Sequence, residues 1–387
     1  MLLSRCEKIL KENIIPFWSK LEDKENGGFY GFMDFDLNLD KQADKGVILH
    51  NRILWFYSSC YKLIGGEENK RLAKHAYEFV KNNCIDYDMG GVYWMLDYKG
   101  NPTDTMKHTY NCAFAIYALS AYYNSIGDKQ ALELAMKIFE DIETRTLDEY
   151  GYMESFSRDW QIIPNDALSE NGLMADKTMN TILHLIEAYT ELYKANGNEK
   201  VAAKLKFLLS QMSDIVYNKE NDALRVFFDT KLQEIGDIHS YGHDIEASWL
   251  CDLACDALGE KELTDKFAKI DLAIARNIEK LAFHGGALYN ERENEKIDKK
   301  RVWWVQAEAV VGYYNAYEHS GDEHFLTICD TIMDYIENTT TDKRCGEWYS
   351  EVSFEGVPDK NKEMVGPWKC PYHNGRMCLE IIRRTAK

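Results

Sequence analysis

Several things are missing from this chain, and each absence removes a class of function. Lys and Arg number 46 against 64 Asp and Glu, a net charge of -18, and no basic run is long enough to follow a phosphate backbone. Nucleic acid and anionic membranes are therefore not expected as partners. No apolar stretch approaches the roughly 18 residues of a membrane span, and the N-terminal MLLSRCEKILKE is broken by charges where a signal peptide would be continuous. A cytoplasmic protein is the expectation. The ten cysteines never occur as C-x-x-C, and reduced core thiols suit that compartment. Absent too are a G-x-G-x-x-G after a strand, a phosphate-binding P-loop and a G-x-S-x-G elbow, which removes the usual marks of nucleotide chemistry and serine hydrolysis. No heptad seam is present, so a monomer is expected.

What is there begins with an ordinary globular composition, 45% hydrophobic and 28% charged over 387 residues. That length exceeds a single compact core, so either two domains or one large repetitive architecture is required. A repeat decides between them. A strand-like segment of glycine and aromatic residues recurs as NGGFYGF at 26–32, MGGVYWM at 89–95, YGYMESF at 150–156, DALRVFF at 222–228, HGGALYN at 284–290 and CGEWYSE at 345–351. The intervals between Gly28, Gly91, Gly151, Gly286 and Gly346 are 63, 60, 135 and 60. The third is two periods, because the fourth copy has lost its glycine.

Each gap holds a helix pair: 50–63 with 67–83, 108–126 with 129–145, 178–196 with 199–217, 243–258 with 261–281, and 303–319 with 322–337. Helices at 2–19 and 373–385 complete a sixth pair across the termini. Gly127-Asp128, Gly197-Asn198 and Gly321-Asp322 supply a C-cap glycine followed by an N-cap acceptor between the members of a pair. The expected fold is all-α, an (α/α)6 barrel of twelve helices forming one domain over residues 1–387, with short β-hairpins at one rim. An open helical solenoid is the alternative.

In a closed barrel the starts of the inner helices share one cavity. They carry Arg52; Tyr110; Asn180 and His184; His243 and Glu246; Trp303, Trp304 and Glu308; and Trp368, His373 and Arg376. Asn180 with His184 and Trp304 with Glu308 are four apart, and His243 with Glu246 and His373 with Arg376 are three apart, which puts each pair on one helix face. A satisfied structural residue is the ordinary reading of any one histidine; three arriving together is not ordinary. His243-x-x-Glu246 lacks the i, i+4 histidine pair of a zinc helix, so no metal is expected. Adjacent Trp303 and Trp304 cannot both enter one core layer, so at least one faces the cavity, where a flat ring suits the apolar face of a pyranose.

At ADKGVILHNRILW (43–55), HSYGHDIEA (239–247), RVWWVQAE (301–308) and GPWKCPYHNGR (366–376) the chain resembles the N-acylglucosamine 2-epimerase superfamily, and within it the cellobiose-epimerising branch. The resemblance runs over essentially the whole chain. It implies an (α/α)6 barrel that needs no metal or nucleotide cofactor. The implied reaction inverts carbon 2 of the reducing-end glucose of β-1,4-linked disaccharides, cellobiose to glucosyl-mannose and lactose to epilactose. By that resemblance His243 and His373 are the acid/base pair, His184 a third catalytic histidine and Arg52 the group beside the carbonyl oxygen. Tyr110, Asn180, Glu246, Trp303, Trp304, Glu308, Trp368 and Arg376 fall at substrate-binding or supporting positions.

The chemistry is consistent with those residue types. Carbon 2 becomes acidic only when the ring opens to an aldehyde, a histidine can move the protons near neutrality, and a cation can stabilise the enediolate that forms. Inversion needs proton delivery from the opposite face, hence two bases. Three alternatives stay open at this point. They are an aldose-ketose isomerase of the same superfamily, a glycoside hydrolase on the same barrel with paired carboxylates, and a carbohydrate-binding protein without turnover.

Overall fold

The structure, a computed structural model, describes residues 2–165 and 173–386. Two kinds of helix alternate along it. Inner helix α5 (Thr109–Ile126) is buried on every face from Thr109 to Tyr122. A helix apolar all round is stable only when other helices surround it. Its outer partner α6 (Lys129–Arg145) buries one stripe, Ala131, Leu134, Ala135, Ile138, Phe139 and Ile142, the spacing of an amphipathic surface helix.

The same alternation joins α3 (Val47–Ile64) to α4 (Glu67–Phe79), α7 (Met179–Asn196) to α8 (Glu199–Gln211), α9 (Tyr241–Leu258) to α10 (Lys261–Ala282), and α11 (Trp303–Ser320) to α12 (Glu323–Tyr335). The sixth inner helix is α13 (His373–Thr385). It packs on the N-terminal helix, where α1 (Leu2–Lys8) runs through a π-type turn, Ile9–Ile14, into α2 (Ile15–Ser19). Each inner helix packs on the next, α3, α5, α7, α9, α11, α13, and α13 returns to α3. That last contact closes the (α/α)6 barrel and removes the open solenoid. No helix among the described residues is long and apolar enough to cross a membrane. All ten cysteines are free and nine are buried.

Sequence punctuation sets the helix ends. Gly127, Gly197, Gly259 and Gly321 all adopt left-handed caps with φ from 61 to 83°, and the Asp128, Asn198 and Asp322 side chains accept from the first backbone N–H groups of the next helix. The expected boundaries hold to within a few residues. Helix α9 begins at Tyr241 instead of 243, and outer helices α4, α8 and α12 end in π-type turns.

The rim differs from a set of self-contained hairpins. After each outer helix a tight antiparallel contact forms: Glu22 with Phe29, Ile85 with Val92, Leu147 with Tyr152, Tyr217–Asn218 with Ala223–Leu224, Phe283–His284 with Ala287–Leu288, and Thr341 with Trp348. In the fourth copy Asp222 adopts the left-handed turn conformation itself, with φ 51°, and Tyr217 donates to its carboxylate at 2.6 Å. Asp tolerates that conformation better than most side chains.

The chain then pairs with the neighbouring repeat. Lys45–Gly46 pairs with Met95–Leu96, Lys107–His108 with Ser155–Phe156, Lys177–Thr178 with Phe227–Phe228, Ile238–Ser240 with Glu291–Glu293, and Arg301–Val302 with Glu351–Val352. Met33 with Val365 completes the circle. Inner helices α3, α5, α7, α9 and α11 are thus each entered from a strand held by the next repeat, which fixes where the first turn points. Three of those entry strands are anchored by buried lysines: Lys45 Nζ to Asp23 at 2.7 Å, Lys107 to Asp86 at 2.8 Å and Lys177 to Asp148 at 2.6 Å. These lysines head the inner helices, yet they turn away from the cavity into the rim.

Candidate active site

At the rim end of the barrel the inner helices enclose a cavity of about 340 Å³. Ten of the twelve expected side chains line it: Arg52, Tyr110, Asn180, His184, His243, Glu246, Trp303, Trp304, Trp368 and His373. Glu308 and Arg376 do not reach it. They lie directly beneath, in a buried layer of charge that holds the lining in place.

Arg376 is the centre of that layer. Its guanidinium donates to Glu187 and Glu246, and to Glu308 at 2.8 Å, and lies over the rings of Tyr372 and Trp249 at 4.2 and 4.8 Å. Three carboxylates share one cation, and burial separates their proton affinities. Burial opposes ionisation of Glu187, but Arg376 and His184 hold its pKa down at about 2. Burial and the neighbouring Glu308 push Glu246 up to about 7. Glu246 also keeps one oxygen, Oε2, buried with no hydrogen-bond partner among the described residues.

The two histidines expected to act as a pair come from different sides and are held differently. His373 opens α13 and donates from Nδ1 to Glu308 Oε1 at 2.7 Å. Glu308 also accepts from Trp249 Nε1 at 3.0 Å, so the carboxylate is fixed and leaves His373 Nε2 for the cavity. His243, in the first turn of α9, meets a hydroxyl instead, Ser240 Oγ, 2.7 Å from Nδ1. Burial pushes the His243 pKa down to about 3, and burial with the charges of Arg376 and Arg52 pushes His373 well below the usual value. Both rings are therefore neutral at pH 7.

Trp304 stands between them, its ring centroid 4.7 Å from that of His243 and 5.4 Å from that of His373. The approach is possible because position 242 is glycine: a Cβ there would lie 2.5 Å from the Trp304 ring. Trp303 also faces the cavity, 5.4 Å from His373, so both tryptophans line it. Trp368 is 39% exposed at the mouth.

Opposite the histidine pair, Arg52 donates to Tyr110 Oη at 2.8 Å and is stacked near Phe114 and Tyr372 at 4.3 and 4.8 Å. Among the described residues no carboxylate comes within 4.0 Å of it. A buried cation without a counter-ion, facing a cavity, is arranged to meet negative charge that arrives later. His184 completes the wall, its Nδ1 2.9 Å from Glu187 Oε2.

Glu246, Glu308 and His373 are close enough in space to resemble a metal-ligand set. Arg376 is bonded to both carboxylates, so a second cation would have to displace a guanidinium. The arrangement suits proton transfer better than metal binding.

Residues unanticipated from sequence include Ser240, Glu187, Tyr372 and Trp249, together with Asn290, Glu291, Ser350, Glu351, Lys362 and Glu363 on the rim. Glu187 was legible, since it follows His184 by the same three-residue spacing as His243 and Glu246. The rim residues were not, because strand pairing between repeats delivers them.

A sequence profile of the N-acylglucosamine 2-epimerase (GlcNAc 2-epimerase) family matches residues 27–374. The chain belongs to this family. Among its relatives, a protein of Ruminococcus albus named cellobiose 2-epimerase is 64% identical, with 99% of each chain covered. A sugar epimerase from a ruminal bacterium, of known crystal structure, superposes with a TM-score of 0.98 at 64% identity over 99% of both chains. The structure of cellobiose 2-epimerase from Bacillus thermoamylovorans superposes at 0.96 with 44% identity, again over 99% of both. The family resemblance and barrel expected from the sequence are borne out, and the chain is an epimerase.

Proposed function

We propose that this family member inverts carbon 2 of the reducing-end glucose of β-1,4-linked disaccharides, turning cellobiose into glucosyl-mannose and lactose into epilactose. The observation that carries the reading is the pair of neutral imidazoles, His243 and His373, opening into one cavity opposite the unpaired Arg52. The names of the 64% and 44% identical relatives support the substrate class.

His373 assists ring opening at O1 and O5, which exposes the aldehyde and makes the C2 proton acidic. His243 removes that proton. Negative charge develops on O1 and O2, where Arg52 and the Tyr110 hydroxyl supply donors. His373 returns a proton from the other face, and the roles exchange in the reverse direction.

The returning imidazole must first hold a proton. Its low pKa at rest rises as the enediolate charge forms beside it, and Glu308 stabilises the imidazolium through Nδ1. Glu246, which lines the same cavity with its pKa near neutrality, is a local proton reserve for the cavity-facing Nε2, because Nδ1 already carries the proton given to Glu308. His184 orients the sugar hydroxyls with Asn180, and the tryptophans provide platforms for the pyranose faces. No step of this scheme needs a metal or nucleotide. The chain is proposed to work as one unit, a monomer, in the cytoplasm.

Incubating His243→Ala and His373→Ala with cellobiose in D2O tests the scheme. Each loss should abolish epimerisation and impair C2 deuterium exchange in at least one direction; full exchange in both variants would sink it. A keto-sugar as main product would instead mean that the enediolate is reprotonated at C1.

A further inference from the structure

A second cluster of ligand-type side chains lies away from the cavity, where α9, α10 and α11 meet. Asp252 comes from α9, Asp271 from α10 and His319 from the last turn of α11. One oxygen from each carboxyl and one imidazole nitrogen all lie within 4.8 Å of one another. Asp252 follows His243 by nine residues in α9, about 13 Å along the helix axis. The cluster and the sugar cavity are separate sites.

Its environment is short of positive charge. Asp252 and Asp271 are 6% and 2% exposed, and no Lys or Arg among the described residues comes within 4.0 Å of either carboxyl. Asp271 Oδ2 is buried with no hydrogen-bond partner among the described residues. His319 Nε2 lies 3.2 Å from Asp252 Oδ1. The neighbouring Arg384 donates from Nη1 to Asn315 at 2.7 Å and to Glu318, and forms no ion pair with Asp252 or Asp271. Two buried acids side by side, one with a bare oxygen, require either a shared proton or a cation.

We propose that Asp252, Asp271 and His319 form a binding site for one zinc-type divalent cation that ties α9, α10 and α11 together. One imidazole nitrogen and two carboxylate oxygens, with water in the remaining position, are the donor set such an ion accepts. His319 is the open side, its side chain 22% exposed, and gives the ion a path in. Three helices from two neighbouring repeats then meet at one ion, so the effect is on barrel stability and not on sugar chemistry.

The test uses the full chain after chelator treatment. Titration calorimetry with Zn2+ should show one equivalent bound, and Zn2+ should raise the melting temperature. Co2+ in its place should give the visible d–d absorption of a low-coordinate site. Asp271→Asn keeps the side-chain volume and relieves the acid pair, so it folds; it should bind Zn2+ about a hundredfold more weakly, at least the loss seen when a residue that merely supports a metal ligand is changed. Epimerase activity of Asp271→Asn should be unchanged. Glu308→Gln locates the ion: it should retain zinc binding if the ion sits at this cluster. Absence of zinc uptake by the wild type overturns the proposal, and so does uptake that survives both Asp252→Asn and Asp271→Asn. A melting temperature raised by Asp271→Asn with no zinc bound by the wild type assigns the pair to a shared proton, and also overturns it.

Discussion

Glu308 offers a sharp test of how the buried charge layer serves His373. Its Oε1 accepts from both His373 Nδ1 at 2.7 Å and Arg376 at 2.8 Å, while Oε2 accepts from Trp249 Nε1 at 3.0 Å. In Glu308→Gln the amide can keep its oxygen at the first position and satisfy His373 and Arg376. Its NH2 then meets the Trp249 N–H, donor against donor. The opposite flip loses two bonds to save one. The imidazole therefore stays in place, and what disappears is the charge behind it. A hydrogen bond to a charged group contributes about 1.5–3 kcal/mol and a neutral one about 0.5–1.5. The difference, about 1–1.5 kcal/mol, predicts a kcat roughly tenfold lower for Gln. Glu308→Ala loses the whole bond and should fall roughly 10- to 150-fold. Because the charge acts on the imidazolium formed during turnover, KM should change little. The assay is initial-rate epimerisation of cellobiose, read as separate kcat and KM. Gln and Ala variants both within twofold of the wild-type kcat would refute a role for Glu308 in supporting His373.

Three further outcomes follow from the geometry. Gly242→Ala should force the Trp304 ring away from both imidazoles, costing about 1–3 kcal/mol in overpacking and lowering kcat; an unaffected enzyme would mean that the ring contact is dispensable. Arg376→Met leaves Glu187, Glu246 and Glu308 without their shared cation and should destabilise the fold by about 3–5 kcal/mol, measured as a fall in denaturant midpoint; wild-type stability would contradict the charge layer. Burial depresses the pKa of His50 and His243 to about 3 and of His108 to about 4, so their contribution is present above the unfolded value of 6.5 and is lost as pH falls toward 4. Glu154 and Glu246, raised to about 7, act in the opposite sense, contributing below pH 4.5 and losing that contribution as pH rises through 7. Three larger shifts outweigh two smaller ones, so calorimetry should show the melting temperature falling from pH 6.5 to 4; a rise would contradict the burial of the histidines.

Much of the site was readable because it sits on helices. Once the period of the repeat is known, residues three and four apart share a face whatever the rest of the chain does, and this brought Asn180, His184, His243, Glu246, Trp303, Trp304 and His373 to one cavity. The same rule overreached at Glu308 and Arg376. It names a face but not a depth, and one turn further along the helix carries a side chain below the cavity floor. Lys45, Lys107 and Lys177 show a different limit: they head inner helices, but the turn of the preceding segment presents an Asp that draws each ammonium into the rim.

By itself the sequence determined the helices, their caps and their alternation, because local periodicity and capping groups act within a few residues. It also determined the chemical inventory of the cavity. Tertiary structure alone decided closure through α13 on α3 and the exchange of strands between neighbouring repeats. It decided too that His373 is backed by the Glu308 carboxylate, whereas the hydroxyl behind His243 comes from Ser240, only three residues before it. Closure, strand exchange and the His373–Glu308 bond depend on contacts between segments 47 or more residues apart, and a carboxylate 65 positions from its histidine leaves no local pattern from which the pairing could be read.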